Sequence, residues 1–228
     1  MTAPTIALLE SLIPAAYVMG SIPFGLLVGL AKGVDPRKQG SGNIGATNVG
    51  RLLGVRFFAL VFTLDLLKGL LPVAVAGWVA RQLLANPVHR ADWELYLLWL
   101  LVGFAAILGH MFSLFLKFKG GKGVATSAGV ALGVYPFFTL PTAIAMAAWI
   151  VVFYARRYVS LASMIAALVF AAAYAVIAQW RGWHPFAQQL PLLLFALLIA
   201  ALIIVRHRSN ITRLLAGTES RFTPKPKG

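Results

Sequence analysis

Six long apolar stretches, residues 4–31, 53–80, 93–116, 137–154, 161–180 and 189–205, alternate along this chain with short basic segments. A helix needs about 20 apolar residues to cross the roughly 30 Å hydrocarbon core of a bilayer, so each stretch is a candidate span. A further apolar run, residues 124–135, covers only about 18 Å as a helix and is cut from the next span by Tyr135-Pro136. It reads as a short or partly inserted helix. The sequence therefore predicts an all-α, polytopic membrane helix bundle of seven transmembrane helices, one of them short. Composition agrees: 60% of residues are hydrophobic and 11% charged, with a mean hydropathy of +0.84. With no soluble domain, long linker or internal repeat in view, residues 1–228 read as a single integral-membrane domain. The N-terminal run is too long for a signal core and has no basic residue before Lys32, so it reads as a span. The Pro/Lys-rich end, residues 223–228, reads as a frayed tail.

The net charge of +14 would suggest nucleic acid in a soluble protein. Here the charges lie between apolar spans, so membrane lipids and anionic substrates are the expected partners, and nucleic acid is not. With the N-terminus outside and the C-terminus in the cytoplasm, the inward loops hold Lys32, Arg37, Lys38, Arg51, Arg56, Lys117, Lys119, Lys122, Arg156, Arg157, Arg206, Arg208, Arg213, Arg221, Lys225 and Lys227. Only Arg81, Arg90 and Arg181 then face outward, and Lys68 lies within a span. That asymmetry follows the positive-inside rule and puts every polar motif on the cytoplasmic face.

Three loops carry chemistry. Residues 117–124 contain Gly120-Gly121-Lys122-Gly123, where glycines let backbone N–H groups crowd around an anion and lysine adds a point charge. Opening into a helix at Val124-Ala125-Thr126, the turn suits a phosphate; the alternative is a plain basic loop. Residues 40–51 contain a literal G-x-G-x-x-G, but no strand precedes it and a dinucleotide reading fails. What remains is a polar turn in which Ser41, Asn43, Thr47 and Asn48 offer hydrogen bonds and Arg51 a planar fork for phosphate. In the third loop His207, Asn210 and Arg213 recur every three residues, so a helix continuing from the last span would align them, with Glu219 beyond. Small-residue spacing at Gly25, Gly29 and Gly33, and at Gly129 and Gly133, reads as helix-packing seams.

Two further groups sit within spans. Asp65 and Lys68, three residues apart, share a helix face and could pair with each other or serve the site. His110, just before the Lys/Gly turn, could accept a proton or brace the turn. The chain has no cysteine, no His-x-x-x-x-Asp, no complete Walker turn and no metal-ligand cluster, so neither a metal nor a cofactor is expected. Six acidic residues are too few to favour paired-carboxylate catalysis. The chemistry should use an already activated donor, with positioning and charge stabilisation supplied by the protein.

The three motifs, Ser41-Gly42-Asn43-Ile44-Gly45-Ala46-Thr47-Asn48-Val49-Gly50-Arg51, Gly109-His110 with Phe118-Lys119-Gly120-Gly121-Lys122-Gly123-Val124-Ala125-Thr126, and His207-x-x-Asn210-x-x-Arg213-Leu214-x-x-Gly217-x-Glu219, occur in the order seen in one family. The chain resembles the bacterial acyl-phosphate:glycerol-3-phosphate acyltransferases over essentially its whole length. The resemblance implies an inner-membrane enzyme that moves an acyl group from acyl phosphate to the sn-1 hydroxyl of glycerol 3-phosphate, giving lysophosphatidic acid. It implies that neither acyl-CoA nor acyl carrier protein is required. It implies that Ser41 and Arg51 are essential, that the Gly120–Gly123 turn binds glycerol 3-phosphate, that His207 and Asn210 support activity, and that Glu219 is structural. Asn43, Thr47, Asn48, Lys119, Thr126 and Arg213 complete the expected substrate site, with Asp65, Lys68 and His110 in bracing roles. The base is either His207 or a substrate phosphate. A transporter for a phosphorylated metabolite, its short helix aimed at the anion, is the rival reading.

Overall fold

The structure, a computed structural model, describes residues 3–84 and 93–222. The expected 223–228 tail lies outside them. Among the described residues every regular element is helical: α1 (Ala3–Ser21), α2 (Phe24–Ala31), α3 (Ala46–Leu53), α4 (Val55–Leu84), α5 (Trp93–Met111), α6 (Val124–Gly133), α7 (Thr139–Arg156), α8 (Val159–Trp180), α9 (Leu190–Arg206) and α10 (Arg208–Leu215). Five spans are long and apolar enough to cross a bilayer, and α9 with α10 makes a sixth if that bent pair counts as one. The ten-residue α6 is the short apolar helix anticipated between the third and fourth stretches.

The expected boundaries hold to within a few residues, with two differences. The first apolar stretch breaks at Pro23, where proline has no N–H to continue the helix, and at this break the Ile22 carbonyl accepts from both the Phe24 N–H and, at 2.7 Å, the Lys68 ammonium. The last stretch does not run on through its polar motif. It bends by 58° at His207, so Asn210 and Arg213 lie on a separate helix and His207 sits at the joint.

Helices in lipid gain little from burying apolar area against one another and associate through close packing and hydrogen bonds. α1 and α5 pack in this way: Gly20 rests on the Ala106 carbonyl while Gly109 rests on the Tyr17 carbonyl. α6 lies against α4 with Gly129 on the Leu66 carbonyl. Apolar side chains such as Trp180, Val176 and Val151 remain largely exposed, as a lipid-facing surface requires. At the end of the bundle away from the polar loops, Phe138 is wholly buried and packs edge-on against Phe170 and Tyr174, at ring separations of 5.1 and 4.9 Å. Trp99 is equally buried and donates from Nε1 to the Val73 carbonyl at 2.9 Å. These packed aromatics fill the far end and leave the polar loops gathered at the other.

Candidate active site

A cleft of about 570 Å³ opens at the polar end of the bundle. Its walls come from the loop before α3, α3 itself, the N-terminal turn of α6, the start of α8, α10 and the segment after α10. The first wall is built around Asn48. Its side-chain amide donates to the carbonyls of Pro36, Gln39 and Asn43, while its Oδ1 accepts from the Ser41 N–H at 2.9 Å. Asn48 is 1% exposed, so its hydrogen-bonding capacity is used to fold the loop rather than offered to a ligand. Asn43 Oδ1 is likewise taken by the Gly45 N–H. Ser41, Thr47 and the Arg51 guanidinium are left on the cleft wall. Arg51 donates from Nη2 to the Ser220 carbonyl at 2.9 Å, and its buried Nε has no hydrogen-bond partner. Arg51 thus brings a guanidinium with unused donor capacity to the cleft wall.

The second wall is the N-terminus of α6. Gly123 takes the left-handed conformation, φ +81°, which glycine adopts without a Cβ penalty. The N–H groups of the following turn, at Val124 and Ala125, have no intrahelical partner and line the cleft beside Lys122. Gly120 and Gly121 do something else. Their N–H groups are bonded to the carbonyls of Met111 and His110, and their own carbonyls accept from the Arg206 guanidinium. The part of the turn that lines the cleft is thus Lys122–Ala125, which overlaps the expected Gly120–Gly123 only at Lys122 and Gly123. Gly120, Gly121, the exposed Lys119 and the buried Thr126 fall outside the cleft lining. Arg206, which charge alone marked only as a basic flank, fixes the turn from behind.

The third wall is a hydrogen-bonded chain centred on Glu219. Lys122 Nζ donates to Asn210 Oδ1 at 2.5 Å, and Asn210 Nδ2 donates to Glu219 Oε1 at 2.6 Å. Ser160 Oγ donates to the same Oε1 at 2.6 Å, and Arg213 Nε to Oε2 at 2.7 Å. Ser160 carries no motif signal in the sequence and is found only because the fold brings α8 to α10. Residues 216–222 return across the cleft, anchored by the Phe222 N–H on the Arg157 carbonyl and by the Phe222 ring, 5.7 Å from Phe58.

Charge is tuned throughout this network. Burial disfavours ionisation of Glu219, but hydrogen bonds from Ser160, Asn210 and Arg213 outweigh it and hold the carboxyl below its usual range. Burial lowers the Lys122 ammonium to about 8, with Arg213 and Arg51 acting in the same direction and Glu219 opposing them. His207, at the end of α9, is 3% exposed. Burial first, and then the neighbouring Lys122 charge, lower it to about 4. Its Nδ1 lies 2.7 Å from the Ile203 carbonyl, which fixes Nδ1 as the donor and leaves Nε2 as an acceptor.

Beneath the cleft, Asp65 and Lys68 form an ion pair at 2.8 Å, the i,i+3 contact that their spacing allows. His110 lies beside them, its Nδ1 3.7 Å from the Asp65 carboxylate, and both Asp65 and His110 reach the cleft floor. The cleft adjoins an apolar groove of about 220 Å³ between α4, α6, α7, α8 and α9, the two sharing Phe58, Phe62, Val124, Trp149 and Ser163.

A cleft lined by Arg51, Lys122 and Arg213 at one end of an apolar helix bundle, beside an apolar groove, defines an integral membrane protein with a cationic site at one face. Its relatives make this specific. The profile of the glycerol-3-phosphate acyltransferase family matches residues 11–217. The chain is 46% identical over 210 residues to the glycerol-3-phosphate acyltransferase of Trichlorobacter lovleyi, covering 92% of this chain and 95% of that one. It is 43% identical over 226 residues to that of Bordetella pertussis, covering 99% and 97%. The crystal structure of PlsY, an integral membrane glycerol 3-phosphate acyltransferase in its glycerol 3-phosphate form, matches with a TM-score of 0.76 and 40% identity, covering 94% of this chain and 96% of that one. The lysophosphatidic acid form of PlsY matches with a TM-score of 0.74. The chain belongs to the glycerol-3-phosphate acyltransferase family.

Proposed function

We propose that the protein transfers a fatty acyl group from acyl phosphate to the sn-1 hydroxyl of glycerol 3-phosphate, giving lysophosphatidic acid and inorganic phosphate. The observation that carries this reading is that the cationic cleft adjoins the apolar groove, the two sharing Phe58, Phe62, Val124, Trp149 and Ser163. One small anion and one anionic amphiphile fit such a pair of spaces, with the acyl carbonyl at the junction. The first turn of α6, Lys122 and Arg51 supply donors for two phosphates that must approach one another.

The glycerol hydroxyl oxygen attacks the acyl carbonyl carbon, the carbonyl oxygen takes up negative charge, and the bond from carbon to the phosphate oxygen breaks with its electron pair leaving on phosphate. Ser41 and the Lys122–Asn210 pair stand at the cleft wall where an oxyanion can be steadied. The hydroxyl proton goes to a substrate phosphate oxygen. A histidine lowered to about 4 is a poorer base than a phosphate monoester, whose second ionisation lies near 6. His207 Nε2 then orients the nucleophile by accepting a hydrogen bond. Asn48 and Glu219 hold the walls in register.

In this reading the protein sits in the bacterial inner membrane with seven membrane segments, α6 being the short one, its N-terminus outside and its C-terminus and cleft in the cytoplasm. The donor is acyl phosphate, with no requirement for acyl-CoA, acyl carrier protein or a cofactor. The test is turnover by the purified protein in lipid, with acyl phosphate, acyl-CoA and acyl carrier protein offered separately beside glycerol 3-phosphate. Lysophosphatidate is expected from acyl phosphate alone. Equal turnover of acyl-CoA, or uptake of glycerol 3-phosphate into proteoliposomes without acylation, would overturn the reading.

A further inference from the structure

The apolar groove has a defined depth. Three of its helices give the same span from the residue shared with the cleft to the lining residue farthest along the helix from it: Val124 to Ala131 on α6, Trp149 to Thr142 on α7, and Ser163 to Phe170 on α8. Each is two helical turns, about 10 Å at 1.5 Å per residue. The wall at that level is closely packed. Phe170 is 5% exposed and is held edge-on by the wholly buried Phe138, which also packs on Tyr174 at 4.9 Å. Tyr174 is fixed in turn by its hydroxyl, which donates to Gln189 Oε1 at 3.1 Å. At the same level Thr142 Oγ1 is buried without a hydrogen-bond partner. A chain end pushed to that depth meets a close-packed aromatic wall and a buried hydroxyl with which it can make no hydrogen bond.

We propose that Phe170, braced by Phe138, together with Thr142 and Ala131, is the acyl-chain ruler of this protein. The ruler rests on the acyl-transfer reading above, in which the groove holds the donor's chain. Chains short enough to end above Phe170 seat fully, and longer ones must leave the groove sideways or bind with the carbonyl displaced from the cleft. A near-attack geometry tolerates little such displacement, so the cost falls on kcat/KM for the longer donor.

The experiment compares kcat/KM for acyl phosphates of graded chain length with wild-type protein and Phe170→Ala, Thr142→Val and Ala131→Leu. Phe170→Ala deepens the groove, and Thr142→Val removes the hydroxyl with little change in shape. Both are expected to raise the ratio of long-chain to short-chain kcat/KM, by roughly 10-fold for Phe170→Ala. Ala131→Leu fills the floor and is expected to lower the ratio. If Phe170→Ala fails to fold, Thr142→Val and Ala131→Leu decide the matter. A chain-length profile unchanged in the folded variants overturns the ruler while leaving the acyltransferase reading intact. A second readout is independent of turnover: thermal stabilisation by lysophosphatidates of graded length should show the same reordering. If that reordering appears while wild-type protein fails to use acyl phosphate, the ruler stands and the donor assignment falls.

Discussion

Lys122 Nζ and Asn210 Oδ1, 88 positions apart in the chain, meet at 2.5 Å and tie the cleft-facing turn before α6 to α10. The bond joins two of the three motifs and holds at the cleft wall an ammonium whose charge is easily lost. Burial lowers Lys122 to about 8. It is therefore charged below that pH and neutral above it, so if Lys122 holds phosphate as proposed, the free protein loses that contact as the pH rises. The profile of kcat/KM for glycerol 3-phosphate should fall on an alkaline limb centred near pH 8. Lys122→Arg, charged throughout, should move that limb to higher pH. An alkaline limb near pH 8 that persists in the arginine variant removes Lys122 from the phosphate site.

His110 sets the fate of Gly121. A Cβ added to Gly121 would run into the His110 imidazole, and one added to Gly120 would run into the His110 carbonyl. Gly121→Ala should therefore act by displacing the turn from α5 rather than by blocking phosphate directly. Activity is expected to fall at least 10-fold in kcat/KM. Combining it with His110→Ala, which vacates the ring, should cost less than the two single changes added together. Additive losses in the double-mutant cycle would mean that the ring is not what Gly121 must avoid.

Much of this arrangement is legible in the sequence because it follows from local rules. Apolar length gives the spans, and the i,i+3 spacing of Asp65 and Lys68 gives their ion pair. The break at His207 is not legible, since nothing in Val205-Arg206-His207-Arg208 forbids a continuous helix and the bend is set by how α10 packs over the cleft. Ser160 and Arg206 escape notice for a related reason. A serine at a helix start and an arginine at a helix end are ordinary until tertiary contacts deliver Glu219 to one and the Gly120 and Gly121 carbonyls to the other. The Lys/Gly turn announces a backbone that approaches something closely. Only the fold shows that for Gly120 and Gly121 this neighbour is α5, and that the amides facing the cleft lie further on.

Glu219 accepts from Ser160, Asn210 and Arg213, joining α8, α10 and the returning C-terminal segment. Glu219→Ala leaves three donors without their acceptor, each hydrogen bond to a charged group contributing about 1.5–3 kcal/mol. The variant should unfold at lower temperature in detergent and lose most of its activity. Glu219→Gln keeps one acceptor oxygen and should lie between the two in both respects. A Glu219→Ala protein with the wild-type melting temperature would show that the carboxylate is not a structural tie.

Exposed positions near the cleft test its side of the membrane. Because the chain has no cysteine, single cysteines at Lys38, Lys119 and Thr218 give unambiguous labelling sites, as does Arg181 between α8 and α9. The first three should react only with reagent supplied from the cytoplasm, and the last only from outside. Labelling of Lys38, Lys119 or Thr218 positions from outside would reverse the proposed orientation and move the cleft to the other face.

The identity of the base separates two mechanisms that share this geometry. His207 is buried, lowered to about 4, and held by its Nδ1 on the Ile203 carbonyl, so across the neutral range it is an uncharged acceptor through Nε2. If it took the hydroxyl proton, its removal should cost roughly 10²-fold or more and abolish the acidic limb of the profile. If a substrate phosphate takes the proton, glutamine can supply the accepted hydrogen bond through its side-chain oxygen. His207→Gln should then retain a large share of kcat, with the acidic limb still present because it reports the phosphate ionisation near pH 6. The measurement is kcat against pH for wild-type protein and His207→Gln, with membrane insertion and melting temperature checked in parallel. A folded but inactive glutamine variant would return the proton to His207 and refute the substrate-assisted step.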